Sequence, residues 1–250
     1  MKQDYLTLPE RTSKPRTNGL TCVHDVQYSI GQLKNILNDY SEYIDVAKLG
    51  VGSAYVTPNL EEKIKLYNSF GVRVYFGGTL FEKFYYQEKL DHYKEFMKKF
   101  DISMVEISTG TIEIPLERRI ELVKEFSSEF TVLSEIGSKD GEAIMPPSVW
   151  IHELNSLLEA GCAYVITEGR NSGTAGVYRP SGEIRTGLIA DIIATVPAER
   201  IIFEAPQSKA QMFFINQVGS NVNLGNINPG DLLLLEAQRV GLRSETFFIS

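Results

Sequence analysis

The sequence predicts an α/β protein built as a single (β/α)8 TIM barrel, and three observations predict it. The 250 residues match the size of one such barrel. Apolar runs alternate with helix-like segments through the whole chain, with no linker, low-complexity tract or shift of composition. Several of the apolar runs stop at a charged residue: EYIDVAKLG at 42–50, SMVEISTGT at 103–111, TVLSEIGSKD at 131–140, AYVITEGR at 163–170 and RIIFEAP at 200–206. In a barrel of parallel strands these C-terminal tips converge on one mouth, where the chemistry is done. The chain therefore reads as one domain over 1–250, with 1–17 a polar N-terminal extension.

The first strand falls near Leu20 to His24, and its helix runs from about Ser29 to Leu37. The second strand covers Tyr43 to Lys48; the helix from about Asn59 to Phe70 is closed by Gly71, as a C-cap would close it. Val72 to Phe76 forms the third strand, ending in Gly77-Gly78-Thr79, with a charged amphipathic helix from about Gln87 to Lys99. The fourth pair is Met104 to Ile107 and about Leu116 to Phe126. The fifth is Thr131 to Glu135 and about Pro147 to Glu159, where Pro suits the first turn and Gly161 the end. The sixth is Tyr164 to Thr167 with a helix near Arg185 to Thr195, and the seventh is Ile201 to Glu204 with about Ser208 to Gln217. Asn221 to Leu224 is the eighth strand, after which Asn228-Pro229 reads as an N-cap and first helical position. An open doubly wound sheet is the alternative, but no dinucleotide glycine fingerprint accompanies it.

Period-two geometry sets which side chains share the barrel interior. If Lys48 points inward, so do Val46 and Ile44; Glu106 brings Met104, and Glu204 brings Ile202. Apolar residues then fill the barrel below a charged top layer. Val105, Ile107, Ile201 and Phe203 face the outer helices.

Composition limits the function classes. Hydrophobic residues make up 43% of the chain, mean hydropathy is -0.12, and no apolar run approaches the roughly 20 residues that span a bilayer. The start has no stretch resembling a signal peptide, so a cytoplasmic protein without a membrane partner is expected. A net charge of -7 argues against a nucleic-acid partner. Cys22 and Cys162 are expected as small buried side chains rather than a disulfide, and a cysteine metal cluster is absent.

Glu106, Glu135, Glu168 and Glu204 around one opening would repel one another by several kcal/mol per close pair at an effective dielectric of about 20. A divalent cation, the bases Lys48, Lys139 and Arg170, or protonation of one carboxyl can offset this. Oxygen ligands without a Cys or His cluster favour Mg²⁺ over zinc; a structural ion-pair network is the alternative. Gly77-Gly78-Thr79 and the Gly169 to Thr174 loop offer backbone amides to anions. Asn223-Leu224-Gly225-Asn226 places amides and a helix start after the eighth strand, where barrels often hold phosphate, or forms a tight structural turn. His92 and His152 fall on helices, and His24, at the first strand's end, is a minor candidate. The aromatics Phe81, Phe84, Tyr85 and Tyr86 pack a helix, form a lid or contribute to a homo-oligomer through the outer helices.

The ordered set KPRTNGLT, YIDVAKLGVGS, VYFGGTLFE, EISTGTIEI, SEIGSKD, EGRNSGTAGVY, FEAPQ and VNLGNI, spanning about residues 14 to 246, resembles the phosphosulfolactate synthase family. The resemblance implies a Mg²⁺-dependent carbon-sulfur lyase that adds sulfite to phosphoenolpyruvate, giving (2R)-phospho-3-sulfolactate on the route to coenzyme M. A plant branch of the family is linked to heat-stress tolerance. Another phosphorylated enol or oxyacid as substrate, or a noncatalytic stress-related role, are the alternatives. On that chemistry Mg²⁺ is expected on some of the four glutamates, Lys139 as general acid and Lys48 and Arg170 steadying anions, with Arg16 and the amide-offering residues Gly77, Gly78, Asn223, Gly225 and Asn226 expected to bind substrate. Arg179, Arg185 and Lys209 are further contributors. The chain departs from the family at Val26-Gln27, where members commonly carry Lys-Gly after the aspartate, and at Thr109, which replaces the carboxylate of EISDG.

Overall fold

A computed structural model describes residues 5–138, 145–170 and 172–249. Strands β1 (Thr21–Asp25), β2 (Val46–Leu49), β3 (Arg73–Phe76), β4 (Met104–Ile107), β5 (Thr131–Ile136), β6 (Tyr164–Thr167), β7 (Ile201–Glu204) and β8 (Asn223–Ile227) form one parallel sheet in the order β3-β2-β1-β8-β7-β6-β5-β4. The two end strands, β3 and β4, lie against each other, so the sheet is a nearly closed barrel. The helices are α1 (Ile30–Tyr40), α2 (Leu60–Ser69), α3 (Gly78–Tyr86), α4 (Leu90–Lys99), α5 (Leu116–Phe126), α6 (Pro147–Ala160), α7 (Thr186–Thr195), α8 (Ser208–Val218) and α9 (Leu232–Arg239). Among the described residues no helix is long and apolar enough to cross a membrane.

The helix ends follow local chemistry. Ser29 and Gln32 form a reciprocal capping box at the start of α1. Pro147 occupies the first turn of α6, and Gly161 ends that helix at φ 118, a left-handed conformation that a side chain disfavours.

Alternation along the strands separates two cores. Leu20, Cys22, Val46, Tyr75, Met104, Leu133, Tyr164, Ile166 and Ile202 fill the barrel interior. The intervening Val23, Ala47, Val105, Ile107, Ile201 and Phe203 pack outward against the helices. Ile44 departs from the expected parity and lies in the outer layer. Residues Ser41–Tyr43 form a 3-10 turn, so β2 begins only at Val46 and alternation does not extend back to 44.

Two further elements differ from expectation. The aromatic run after the third strand is itself a helix, α3, beginning directly at Gly78, and its Phe81 packs against Tyr85, Tyr93 and Phe126. The eighth strand lies later than expected, so Asn223-Leu224-Gly225-Asn226 is the strand and not the loop that follows it.

Both cysteines are free and buried, Cys22 in the barrel interior and Cys162 just before β6. Burial pushes each thiol up to about 12. Since the thiolate is the reactive species, the native protein should not react with Ellman's reagent at about pH 8, whereas both thiols should react in denaturant. Rapid native labelling would contradict this burial.

Candidate active site

The C-terminal strand tips enclose a cavity of about 330 Å³ lined by, among others, Lys48, Glu106, Glu135, Glu168, Arg170 and Glu204. These six come from five different strand ends. Lys48, Glu106, Glu135 and Glu204 follow the inward parity of Val46, Met104, Leu133 and Ile202, while Glu168 and Arg170 lie just past β6.

Lys48 is the cationic hub. Its Nζ lies 3.0 Å from Glu106 Oε2, 3.4 Å from Glu204 Oε1 and 3.7 Å from Glu135 Oε2. Burial alone would lower the pKa of this ammonium, but the surrounding carboxylates outweigh burial and hold it well above its ordinary value. Burial acts oppositely on the acids: the Glu106 carboxyl is pushed up to about 7 despite Lys48, and that of Glu204 is also raised.

Glu135, Glu168 and Glu204 each place one carboxylate oxygen within 4.8 Å of the other two, and all three are buried. Glu106 stands outside that group because its Oε1 accepts the Gly78 N–H at 2.9 Å and its Oε2 faces Lys48. Three hard oxygen donors, without sulfur or imidazole among them, suit Mg²⁺. Among the described residues, Lys48 offsets only part of the charge that Glu106, Glu135, Glu168 and Glu204 carry when ionised, which gives a divalent cation a further electrostatic reason to bind.

The surrounding backbone fixes the acids. Glu204 Oε2 accepts the Gly169 N–H at 2.8 Å, and Glu168 Oε1 accepts the Arg170 N–H at 2.5 Å. Gly176, at φ 62, passes so close that a Cβ there would lie 2.0 Å from the Glu168 carbonyl oxygen. Ser108 Oγ lies 2.8 Å from Glu135 Oε1 and 3.2 Å from Glu82 Oε1, so its single hydrogen serves one carboxylate at a time. Glu82 also accepts the Thr111 N–H at 2.8 Å and is 2% exposed. Sequence reasoning missed Glu82 and Ser108. The first was hidden in the aromatic run now seen as α3, and the second lies two residues past an assigned glutamate with no charge to mark it.

The remaining expected residues divide between the mouth and other places. Gly78 and Asn226 line the cavity. Gly77 sits beside it, its N–H donated to the Leu49 carbonyl and its Cα so near Val51 that a Cβ would lie 2.7 Å from Val51 O. The Gly77 and Gly78 amides are thus both spent inside the protein, the latter on Glu106, instead of facing a ligand. Gly225 pairs in register with Glu204, and a Cβ there would meet Ile202 at 3.0 Å.

Arg16 lies at the opposite end of the barrel. It donates to the Thr12 and Glu42 carbonyls and pairs with Asp45, the residue before β2, at 3.2 Å. Asn223 is also a bottom residue: its Oδ1 accepts the Leu20 N–H, and its Nδ2 donates to the Glu199 and Ile201 carbonyls. Neither reaches the mouth. Lys139 lies outside the described residues. Arg179, Arg185 and Lys209 line a separate cavity of about 590 Å³ beside α7 and α8. Asn228 accepts from Gly230 N and Tyr28 Oη, which uses its side-chain oxygen locally. Val26 and Thr109 line two other cavities, so these two departures from the family pattern share no contact surface at the mouth.

Comparison with known proteins gives one consistent picture. The family model described as (2R)-phospho-3-sulfolactate synthase (ComA) matches residues 9–245. The chain is 41% identical over 252 residues to the phosphosulfolactate synthase of Bacillus subtilis, covering 100% of each chain. It is 37% identical over 249 residues to that of Methanothermobacter thermautotrophicus, covering 97% of this chain and 96% of the relative. To the Arabidopsis thaliana protein HEAT-STRESS-ASSOCIATED 32 it is 24% identical over 260 residues, 92% of this chain and 88% of the relative. Among solved structures, a 3-hexulose-6-phosphate synthase aligns with TM-score 0.56 at 11% identity over 88% of this chain and 100% of that one, a likeness of fold alone.

Proposed function

Since this chain belongs to the (2R)-phospho-3-sulfolactate synthase family, we propose that it joins sulfite to phosphoenolpyruvate in a Mg²⁺-dependent reaction at the barrel mouth. The observation that supports this most directly is the buried trio Glu135, Glu168 and Glu204, with carboxylate oxygens within 4.8 Å of one another beside Lys48.

In the proposed reaction the sulfur lone pair of sulfite forms a bond to C3 of phosphoenolpyruvate. The C2–C3 π electrons move toward C2 and the carboxylate as an enediolate, and C2 then takes one proton. The phosphate ester stays intact. Glu135, Glu168 and Glu204 would hold Mg²⁺, which when bound supplies Lewis-acid stabilisation of the negative charge on the substrate carboxylate.

The residues around that centre have separate duties. Lys48 holds Glu106, Glu135 and Glu204 in one geometry and offsets part of their charge as substrate charge develops nearby. Arg170, exposed at the rim on the loop that also fixes Glu168, steadies incoming anions. Lys139, on the segment that follows Glu135 in sequence, is the proposed donor of the C2 proton.

Purified protein incubated with phosphoenolpyruvate, sulfite and Mg²⁺ should consume sulfite and form one phosphorylated sulfonate per sulfite, with no inorganic phosphate released. Chelation by EDTA should stop the reaction and added Mg²⁺ restore it. Unchanged sulfite at saturating phosphoenolpyruvate and Mg²⁺ would overturn the reading.

A further inference from the structure

The carboxylate-bearing side of the mouth leaves open how a multiply charged anion is held there. Lys48 is enclosed by three carboxylates at 3.0 to 3.7 Å, so its charge is already shared. The adjacent strands β1 and β8 contribute the other wall, and the side chains they bring to the cavity are His24 and Asn226. Asp25, the one acid of β1, is engaged elsewhere, with Lys63 at 2.9 Å and Tyr67 at 3.0 Å from its Oδ2.

His24 continues the inward parity of Leu20 and Cys22 and lies in register beside Lys48. Gly50 is shaped around it: a Cβ at 50 would lie 1.5 Å from His24 Nε2 and 2.1 Å from its Cδ2. Gly50 is not among the glycines at positive φ, so the backbone does not require glycine there, whereas the imidazole does. Asn226, which also lines the cavity, is held at φ 55, and among the described residues its buried Oδ1 has no hydrogen-bond partner. Asparagine adopts this left-handed conformation more readily than most side chains, and its amide can donate through Nδ2 as well as accept through Oδ1.

We infer that His24 is a substrate-contacting residue: its imidazole, seated against Gly50, donates a hydrogen bond to an oxyanion of the ligand on the side of the mouth away from the carboxylates. The assignment rests on the reading of the mouth as an anion site. It gives the β1 wall the end of the substrate that the metal side does not hold, with the Asn226 amide beside it.

Calorimetric titration of Mg²⁺-loaded protein with phosphoenolpyruvate, and separately with inorganic phosphate, tests this. His24→Ala should weaken phosphoenolpyruvate binding roughly 10- to 100-fold, the range for one hydrogen bond to a charged group, with little change in thermal midpoint. His24→Gln, which keeps a donor, should recover part of the loss. Gly50→Ala should weaken binding like His24→Ala, and the double variant should be no worse than His24→Ala alone, because glycine is needed only to admit the ring. Wild-type affinity in His24→Ala, or a Gly50→Ala loss that adds in full to it, would overturn the inference. A wild-type protein that binds phosphate but not phosphoenolpyruvate would sink the proposed substrate, and the same variants read against phosphate would still decide His24. Binding of neither anion would overturn both.

Discussion

Glu168→Gln is expected to lower turnover roughly 10³-fold at saturating phosphoenolpyruvate and sulfite, the equivalent of several kcal/mol of charge stabilisation supplied by a bound cation. Mg²⁺ affinity should fall with it, by more than the roughly 10- to 100-fold that follows loss of an outer hydrogen-bond partner of a metal ligand. The substitution keeps the shape of the side chain and an acceptor for the Arg170 N–H while removing one of three closely spaced oxyanions. Lys48 pairs with the other two members, Glu135 and Glu204, so those contacts remain in place. Glu106→Gln is the matched control. Glu106 is committed to Lys48 and the Gly78 amide, so its loss should leave the Mg²⁺ isotherm within a few fold of wild type. Direct titration with Mg²⁺, read alongside turnover, separates the two. A wild-type isotherm in Glu168→Gln, or an equal loss in Glu106→Gln, would show that the trio is not the metal site.

The difference between those two glutamates marks how far the sequence could be read. The convergence of strand tips carried Lys48, Glu106, Glu135 and Glu204 to one mouth, and alternation, a fixed geometric period, set Lys48, Glu106 and Glu204 on the same face as the residues two before them. Neither could say which acids would hold the proposed metal. That choice is made by contacts from outside the strands, such as the Gly78 amide at the start of α3, which takes Glu106. Helix α3 was legible in part, since Leu80, Phe81, Phe84 and Tyr85 recur at helical spacing, but it starts at Gly78 directly after β3, whereas the helix of this unit was expected only from about Gln87. The sequence Asn223-Leu224-Gly225-Asn226-Ile227 has little intrinsic strand preference, yet it pairs as β8 because β1 and β7 offer ladders on both sides. Arg16 precedes the first strand, and nothing in its own neighbourhood of sequence signals that Asp45, 29 residues away, will draw it to the barrel bottom. His24 was legible in principle. The parity applied to Lys48 places it inward with Leu20 and Cys22.

Lys48→Met should have the second large effect, and its signature differs from that of a lost ligand. Lys48 is the cation shared by Glu106, Glu135 and Glu204, and removing one partner from a buried ion cluster typically costs about 3 to 5 kcal/mol, since the opposite charges are left enclosed. For a chain of this size that corresponds to a fall in Tm of roughly 6 to 20 °C in the metal-free protein. Mg²⁺ should then raise the Tm of the variant by more than it raises that of wild type, because the ion replaces the missing positive charge. The pH response has a definite sign. The Glu106 carboxyl, ordinarily near 4.5, is already pushed up to about 7 by burial with Lys48 present, so the native state binds this proton more tightly than the unfolded chain does. Its contribution to stability is complete below about 4.5 and is lost as pH rises through about 7. Without the ammonium that dependence should steepen and move to higher pH. Thermal melts of metal-free wild type and Lys48→Met from pH 5 to 9 should therefore diverge as pH rises. Parallel curves, or a variant that Mg²⁺ stabilises no more than wild type, would mean that Lys48 does not carry the charge of this cluster.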